Sequence, residues 1–262
     1  MSSGTLTSPA GRRCDAETFA DEGYLILRNL VPGELCDAVA GEVRASLHPV
    51  LAPAEFEADV GYPGAPRSRQ DIGGDTPRRL LNAYSRFASL RPMVAGAHVA
   101  AHLRELMGSE RVLLSQCHHN CVMTKSPGFS SVTLWHQDIR YWSFERPELV
   151  SLWLALGEET GDNGALRLIP GSHRQSFDAA RLDDARFLRS DHPENQALVK
   201  TARIIDLNQG DVLLFHCRSF HAAGRNLTDQ VKLSAVFTYH AEDNRPLPGT
   251  RSAQYTSIPL QA

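Results

Sequence analysis

No apolar run in the 262-residue sequence reaches membrane-spanning length, because Arg, Asp, Glu or His interrupts each one. There is no long basic run, and the formal net charge is -3. The clustered Lys and Arg surface of a dedicated nucleic-acid binder is therefore missing. No pair of cysteines has C-x-x-C spacing, and the five that exist, Cys14, Cys36, Cys117, Cys121 and Cys217, are odd in number. That usage fits a reducing, cytoplasmic compartment. Cys117 and Cys121, four apart on a predicted strand, share a face and read as small buried residues rather than a metal pair. Internal repeats, low-complexity segments and an H-E-x-x-H arrangement are also absent. Residues 1–13 are rich in Ser, Thr and Gly and have no apolar core, so they read as a short disordered lead-in and not as a secretory signal.

What remains is an ordinary globular composition, 42% hydrophobic and 22% charged, long enough for one large domain over residues 14–262. Asp15 to Gly23 predicts a capped helix ended by glycine, and Tyr24 to Leu27 a strand. Leu35, Val39, Val43 and Leu47 recur at helical spacing after Pro32. Gly61 to Pro77, dense in Gly and Pro, predicts a long loop, either a functional lid or a disordered segment. A further helix is expected over Pro92 to Met107, ended by Gly108. From Arg111 the texture changes to short apolar runs, Val112–Leu114, Val150–Leu156, Ala165–Ile169, Val212–Phe215 and Leu233–Tyr239, separated by turn residues. Such spacing predicts a β-barrel or sandwich behind N-terminal helices.

The sharpest local feature is Trp135-His136-Gln137-Asp138. On an extended chain His136 and Asp138 point to one face, and imidazole with carboxylate suits a divalent metal. A third ligand is needed from elsewhere. The stretch Gly210 to His221 offers two histidines, His216 on an apolar strand and His221 after Arg218-Ser219, and the pattern alone does not choose between them. Two His and one carboxylate make the facial triad of non-haem iron(II) oxygenases. The H-x-D pair by itself also fits a hydrogen-bonded corner with no metal.

Read together, Trp135 to Asp138, Asp162-Asn-Gly-Ala-Leu-Arg-Leu-Ile-Pro-Gly-Ser-His-Arg174, Gly210 to His216 and His221-Ala-Ala-Gly-Arg-Asn226 resemble the phytanoyl-CoA dioxygenase (PhyH-like) family, which includes ectoine hydroxylases. Phe19 to Leu27 is similar to the family's opening segment. The resemblance runs from about residue 15 to about 242. It implies a mainly β fold with flanking helices, a double-stranded β-helix (jelly roll, cupin-like). It implies Fe(II) held by His136, Asp138 and His221, and 2-oxoglutarate as co-substrate. It points to Gln137, Trp153, Lys125, Asn120 and Cys121 as co-substrate contacts. It also places Lys232, eleven after His221, where the family usually has Arg. Lys lacks the planar two-pronged fork of Arg, so Arg225 is a candidate to substitute or assist. Ala223 stands where a hydroxyl is frequent. A carboxylate at Asp138 excludes the halogenating relatives, and hydroxylation of an unactivated C–H bond of a small organic metabolite is the implied outcome. The implied partners are a small-molecule substrate and dioxygen.

Arg140, Tyr141, Trp142 and Phe144 follow the H-x-D pair and suggest a pocket for an organic anion or a ring, with at least one of Trp142 and Phe144 packing on the barrel instead. Arg67, Arg69, Arg78 and Arg79 are candidates to meet an acidic substrate or to lie solvated. Adjacent His118 and His119 are expected to face opposite sides of a strand, with neither needed for the metal. His173 reads as structural. The departures at Lys232 and Ala223 leave open a catalytically altered barrel that binds metal or ligand without turnover.

Overall fold

The computed structural model describes residues 14–62 and 64–261; the expected lead-in over residues 1–13 lies outside the described residues. The chain begins with helix α1 (Asp15–Glu22), strand β1 (Tyr24–Leu27) and helix α2 (Gly33–Ala45). The Cys14 side chain accepts from the Glu17 backbone and Glu17 reaches back to the Cys14 N–H, a reciprocal cap that starts α1. Strands β2 (Ala54–Phe56) and β3 (Pro77–Leu81) bracket the long loop, and helices α3 (Ala83–Arg86), α4 (Arg91–Ala95) and α5 (Ala97–Met107) follow. The rest is mostly strand: β4 (Val112–Lys125), β5 (Thr133–His136), β6 (Leu149–Ala155), β7 (Leu166–Leu168), β8 (Arg203–Ile204), β9 (Val212–His216), β10 (His221–Ala223), β11 (Lys232–Ala241) and β12 (Ile258–Pro259), with helix α6 (Pro193–Val199) before β8.

Two antiparallel sheets form. The larger runs β1-β9-β6-β11-β4-β3-β2, with β12 also on β4; the smaller runs β5-β10-β7-β8. Strand periodicity decides what each face meets. Val212 and Leu214 of β9, Leu152 and Leu154 of β6, and Ala235 and Phe237 of β11 join a cluster with α2 and α5 residues such as Val39, Val43 and Leu103. Their alternates, Leu213, Phe215, Trp153 and Val236, pack with Leu166, Leu168 and Ala223 of the smaller sheet. The larger sheet is thus covered on both faces, which is why β6 and β11 read as continuous apolar runs. Each fully buried large apolar side chain contributes about 1.5–3 kcal/mol relative to exposure. This layering of helices, large sheet and small sheet is the jelly-roll arrangement expected from the resemblance.

Two expectations need correction. In α2 the buried stripe is Cys36, Val39, Ala40 and Val43, and Leu35 is 41% exposed, because the helical face that meets the sheet is centred one residue later. The helix expected over Pro92 to Met107 is two helices, broken at Gly96. Gly96 is extended, and a Cβ there would sit 2.1 Å from the Pro92 carbonyl oxygen, so the chain turns where only glycine fits.

Candidate metal centre

His136 is the last residue of β5 and His221 the first of β10, and the two are direct partners across that antiparallel ladder. Gln137 stays extended, so Asp138 points to the same face as His136 before the chain turns into a short 3-10 helix. His136 Nδ1 bonds the Leu134 carbonyl at 2.8 Å and His221 Nδ1 the Ser219 carbonyl at 3.1 Å. Both rings therefore present Nε2 inward, the tautomer a metal ligand needs. His136 Nε2 is 3.8 Å and His221 Nε2 3.6 Å from Asp138 Oδ1, and one ligand atom from each of the three residues lies within 4.8 Å of the others. Donor atoms sharing one ion at about 2.1 Å lie roughly 3.0–3.5 Å apart, so small side-chain adjustments suffice. Asp138 Oδ2 accepts from Ser151 at 3.0 Å, whereas buried Oδ1 has no hydrogen-bond partner among the described residues. A buried carboxylate oxygen left unpaired is costly, and a cation between it and two imidazoles resolves that cost.

The electrostatics agree. Burial is the main influence pushing His136 down to about 3, so its ring is neutral near pH 7 and offers a lone pair. Burial opposes ionisation of Asp138, but His119, His221, His136 and the Ser151 hydroxyl outweigh it and hold the carboxyl below its usual range. His216 is not part of this group: it lies on β9 against His173, ring centroids 5.3 Å apart, and its Nδ1 accepts from the Arg218 N–H. The geometry agrees with the assignment of His221 over His216 that the family resemblance implied.

One cavity of about 600 Å³ extends from the triad between the sheets, lined among others by Lys125, Thr133, Trp153, Leu166, Ala223 and Lys232. Lys232 Nζ bonds Glu159 Oε2 at 2.9 Å and Ser234 Oγ at 3.0 Å, and Trp153 Nε1 donates to both Glu159 oxygens. The buried Lys232 ammonium therefore already has a carboxylate. Lys125 has none among the described residues: its Nζ bonds the backbone carbonyls of Ser131 and Gly224, and burial, helped by Arg78 and Lys232, pushes it down to about 7.

Four expected co-substrate contacts, Gln137, Asn120, Cys121 and Arg225, are not among the residues lining this cavity. Gln137 alternates away from His136 and Asp138, and its amide bonds the Arg218 carbonyl. Asn120 faces the helices, where its Oδ1 accepts from the Tyr84 N–H at 2.8 Å. Arg225 is exposed beyond β10. Conversely Arg78 and Arg79, which the sequence left undecided, are inside: Arg78 is buried with Glu57, Ser131 and Thr133, and Arg79 pairs loosely with Glu55 at 3.4 Å. Arg69 instead pairs with Asp59 near the surface.

A second, open cavity of about 1340 Å³ meets the first at Tyr62, Arg79, His119, His136 and Asp138. Both His118 and His119 line it, contrary to the strand-alternation expectation. The register explains this: Phe237 pairs with Asn120 but Thr238 pairs with Ser115, so residues 116–119 bulge out of the β4–β11 ladder and alternation is lost. The same bulge separates Cys117, which contacts the Tyr255 backbone, from Cys121, which packs with Trp153 between the sheets. His119 Nε2 stands 3.7 Å from Asp138 Oδ1, a third imidazole beside the carboxylate that the sequence reading did not place at the metal centre. Trp142 and Phe144 pack with Leu149 and Cys217, and Trp142 also borders the second cavity. His173 bonds the Ala20 carbonyl at 3.1 Å, consistent with a structural role.

Comparison with known proteins gives this geometry a context. Ectoine dioxygenase of Sphingopyxis alaskensis is 26% identical over 258 residues, covering 92% of this chain and 79% of that one. A probable alpha-ketoglutarate-dependent hypophosphite dioxygenase of Stutzerimonas stutzeri is 27% identical over 176 residues, 66% of this chain and 60% of that one. Among solved structures, EctD of S. alaskensis with bound Fe superposes with a TM-score of 0.73 at 21% identity, over 99% of this chain and 90% of EctD. The non-haem alpha ketoglutarate dependent carbocyclase SnoK from nogalamycin biosynthesis does so with a TM-score of 0.72 at 19% identity, over 99% and 97%. The phytanoyl-CoA dioxygenase (PhyH) family profile matches residues 19–234, most of the chain, and the protein belongs to that family.

Proposed function

We propose that this protein is an Fe(II)- and 2-oxoglutarate-dependent dioxygenase that oxidises, by default hydroxylates, an unactivated C–H bond of a small organic metabolite. The observation that carries the reading is the buried, unpartnered Asp138 Oδ1 facing the Nε2 atoms of His136 and His221. Ferrous iron, which His136, Asp138 and His221 would hold, would supply dioxygen activation coupled to oxidative decarboxylation of 2-oxoglutarate to succinate and carbon dioxide. The Leu134 and Ser219 carbonyls keep both imidazoles in the ligating tautomer. Lys125, the cation of the inner cavity without a carboxylate partner, anchors the distal carboxylate of the co-substrate; Lys232 assists, steadied by Glu159. Trp153, Leu166, Phe215 and Ala223 form apolar walls that keep water from that lobe. The second cavity receives the substrate, under the Tyr62 end of the long loop.

The outcome at the substrate carbon is set by what that cavity positions. SnoN and SnoK, both alpha ketoglutarate dependent and of similar fold, are an epimerase and a carbocyclase. Anaerobic addition of Fe(II) and then 2-oxoglutarate tests the proposal. A visible metal-to-ligand charge-transfer band is expected, followed by succinate formation when oxygen is admitted; absence of the band sinks the reading. The Lys232–Glu159 pair favours one rival, a catalytically altered barrel. That rival predicts metal binding with no succinate from any substrate.

A further inference from the structure

We infer that the substrate carries an oxyanion, a carboxylate or a phosphate, that docks on Arg140. The inference rests on the oxygenase reading only in treating the second cavity as the substrate's. Arg140 sits two residues after Asp138, and its guanidinium lies 3.9 Å from the Phe187 ring centroid and 4.5 Å from that of Tyr141. Stacking on ring faces fixes the guanidinium plane and leaves its N–H edge free for a two-pronged acceptor. Among the described residues Nη1 is buried without a hydrogen-bond partner, and Arg140 makes no ion pair. Its neighbours each have a carboxylate: Arg78 is matched by Glu57, Ser131 and Thr133, and Arg79 pairs with Glu55 at 3.4 Å although its buried Nε has no hydrogen-bond partner among the described residues.

The charge balance of the cavity points the same way. Of the carboxylates on its lining, Asp59 is taken by Arg69, Glu55 by Arg79, and Asp138 belongs to the metal centre. Among the described residues Arg140, and Arg251 at the exposed rim, have no carboxylate partner. Such a lobe attracts an anion and disfavours a cation. Phe187 packs against both Arg140 and His136, its ring centroid 5.9 Å from that of His136, so one aromatic ring separates the anion site from the metal centre. A substrate held there by its oxyanion presents its body along Tyr141, Trp142 and Tyr62 toward the iron. A small anion with a ring or short chain has that reach.

Ligand-observed NMR with benzoate, phenyl phosphate and neutral benzamide tests this on the purified full-length protein, with and without iron. At least one anion is expected to bind about ten-fold or more tightly than benzamide, and whichever prevails identifies carboxylate or phosphate as the group recognised. Arg140→Gln should weaken that anion roughly 10- to 100-fold and leave benzamide unchanged, with Arg140→Lys recovering part of the difference. Equal binding of anions and benzamide to the unaltered protein overturns the inference without any variant, as does an Arg140→Gln protein that keeps the preference. Because the anion preference needs no iron, it survives a failed charge-transfer experiment, and the two readings fail separately.

Discussion

His136 and His221 are opposite each other on neighbouring antiparallel strands, 85 positions apart in the chain, with ring centroids 4.3 Å apart. Neither strand exceeds four residues. The pair is therefore only as well placed as the smaller sheet that carries it, and that sheet is held by its apolar contacts with Trp153, Phe215 and Val236 of the larger one.

That dependence makes metal binding readable as stability. Fe(II), or Co(II) as an air-stable substitute, at about 100 times its Kd should stabilise the protein by about 2.7 kcal/mol. Asp138→Ala should abolish this gain and all coupled turnover. In the metal-free protein it removes the unpartnered Oδ1 but also strips the buried Ser151 hydroxyl of its acceptor, so a net change of no more than about 1–2 kcal/mol is expected. Thermal unfolding with and without metal checks both parts; an undiminished metal-induced shift in the variant contradicts the ligand assignment.

The Lys232–Glu159 pair is almost fully buried, side chains 3% and 1% exposed. Glu159→Ala leaves an ammonium stranded and should cost about 3–5 kcal/mol, measured by urea unfolding. The double change Lys232→Met, Glu159→Leu should recover much of that loss, because well-packed apolar residues often replace a buried pair without penalty. A loss below about 1 kcal/mol in the single variant would show the pair to be solvated.

Co-substrate affinity should depend on pH through Lys125. Its ammonium, pushed down to about 7 chiefly by burial, is present below that pH and lost above it. An anion bound there is favoured at low pH, so the Kd for 2-oxoglutarate should rise with pH above about 7, by at most about ten-fold per unit. Titrating the charge-transfer band between pH 6 and 8.5 measures this. Lys125→Arg should flatten the profile, since a guanidinium keeps its charge throughout; a flat profile in the unaltered protein counts against Lys125 as the anchor.

Gly164, in the Asp162-Asn-Gly turn, has φ +80°, and a Cβ there would lie 2.8 Å from both the Gly224 carbonyl oxygen and Lys125 Cδ. Gly164→Ala should therefore destabilise by about 1 kcal/mol or more and weaken 2-oxoglutarate binding by displacing the lysine. Calorimetry of the folded variant separates the two effects. Unchanged affinity would mean that Lys125 moves without consequence for the co-substrate.

The metal ligands were legible because their signals are local: an extended H-x-D and a histidine after a turn, set among blocks whose order and spacing match a known family. The apolar strands were legible because burial on both faces leaves continuous runs, as in Leu149–Ala155. The lining of the inner cavity was legible only in part: Trp153, Lys125 and Lys232 line it, whereas Gln137 and Asn120 point away along extended backbone, a fact of chain direction that a residue name does not carry.

The sequence by itself determined the three metal-binding side chains, the strand-rich architecture and the family, since each rests on patterns within a few residues or on their order along the chain. Only the tertiary structure decided that Glu159 neutralises Lys232, that a bulge turns both His118 and His119 toward one cavity, and that Arg140 is left without an acceptor. Those relationships depend on which strands pair and in what register. Charge compensation and burial are properties of neighbours in space, and in this chain those neighbours lie tens of residues apart.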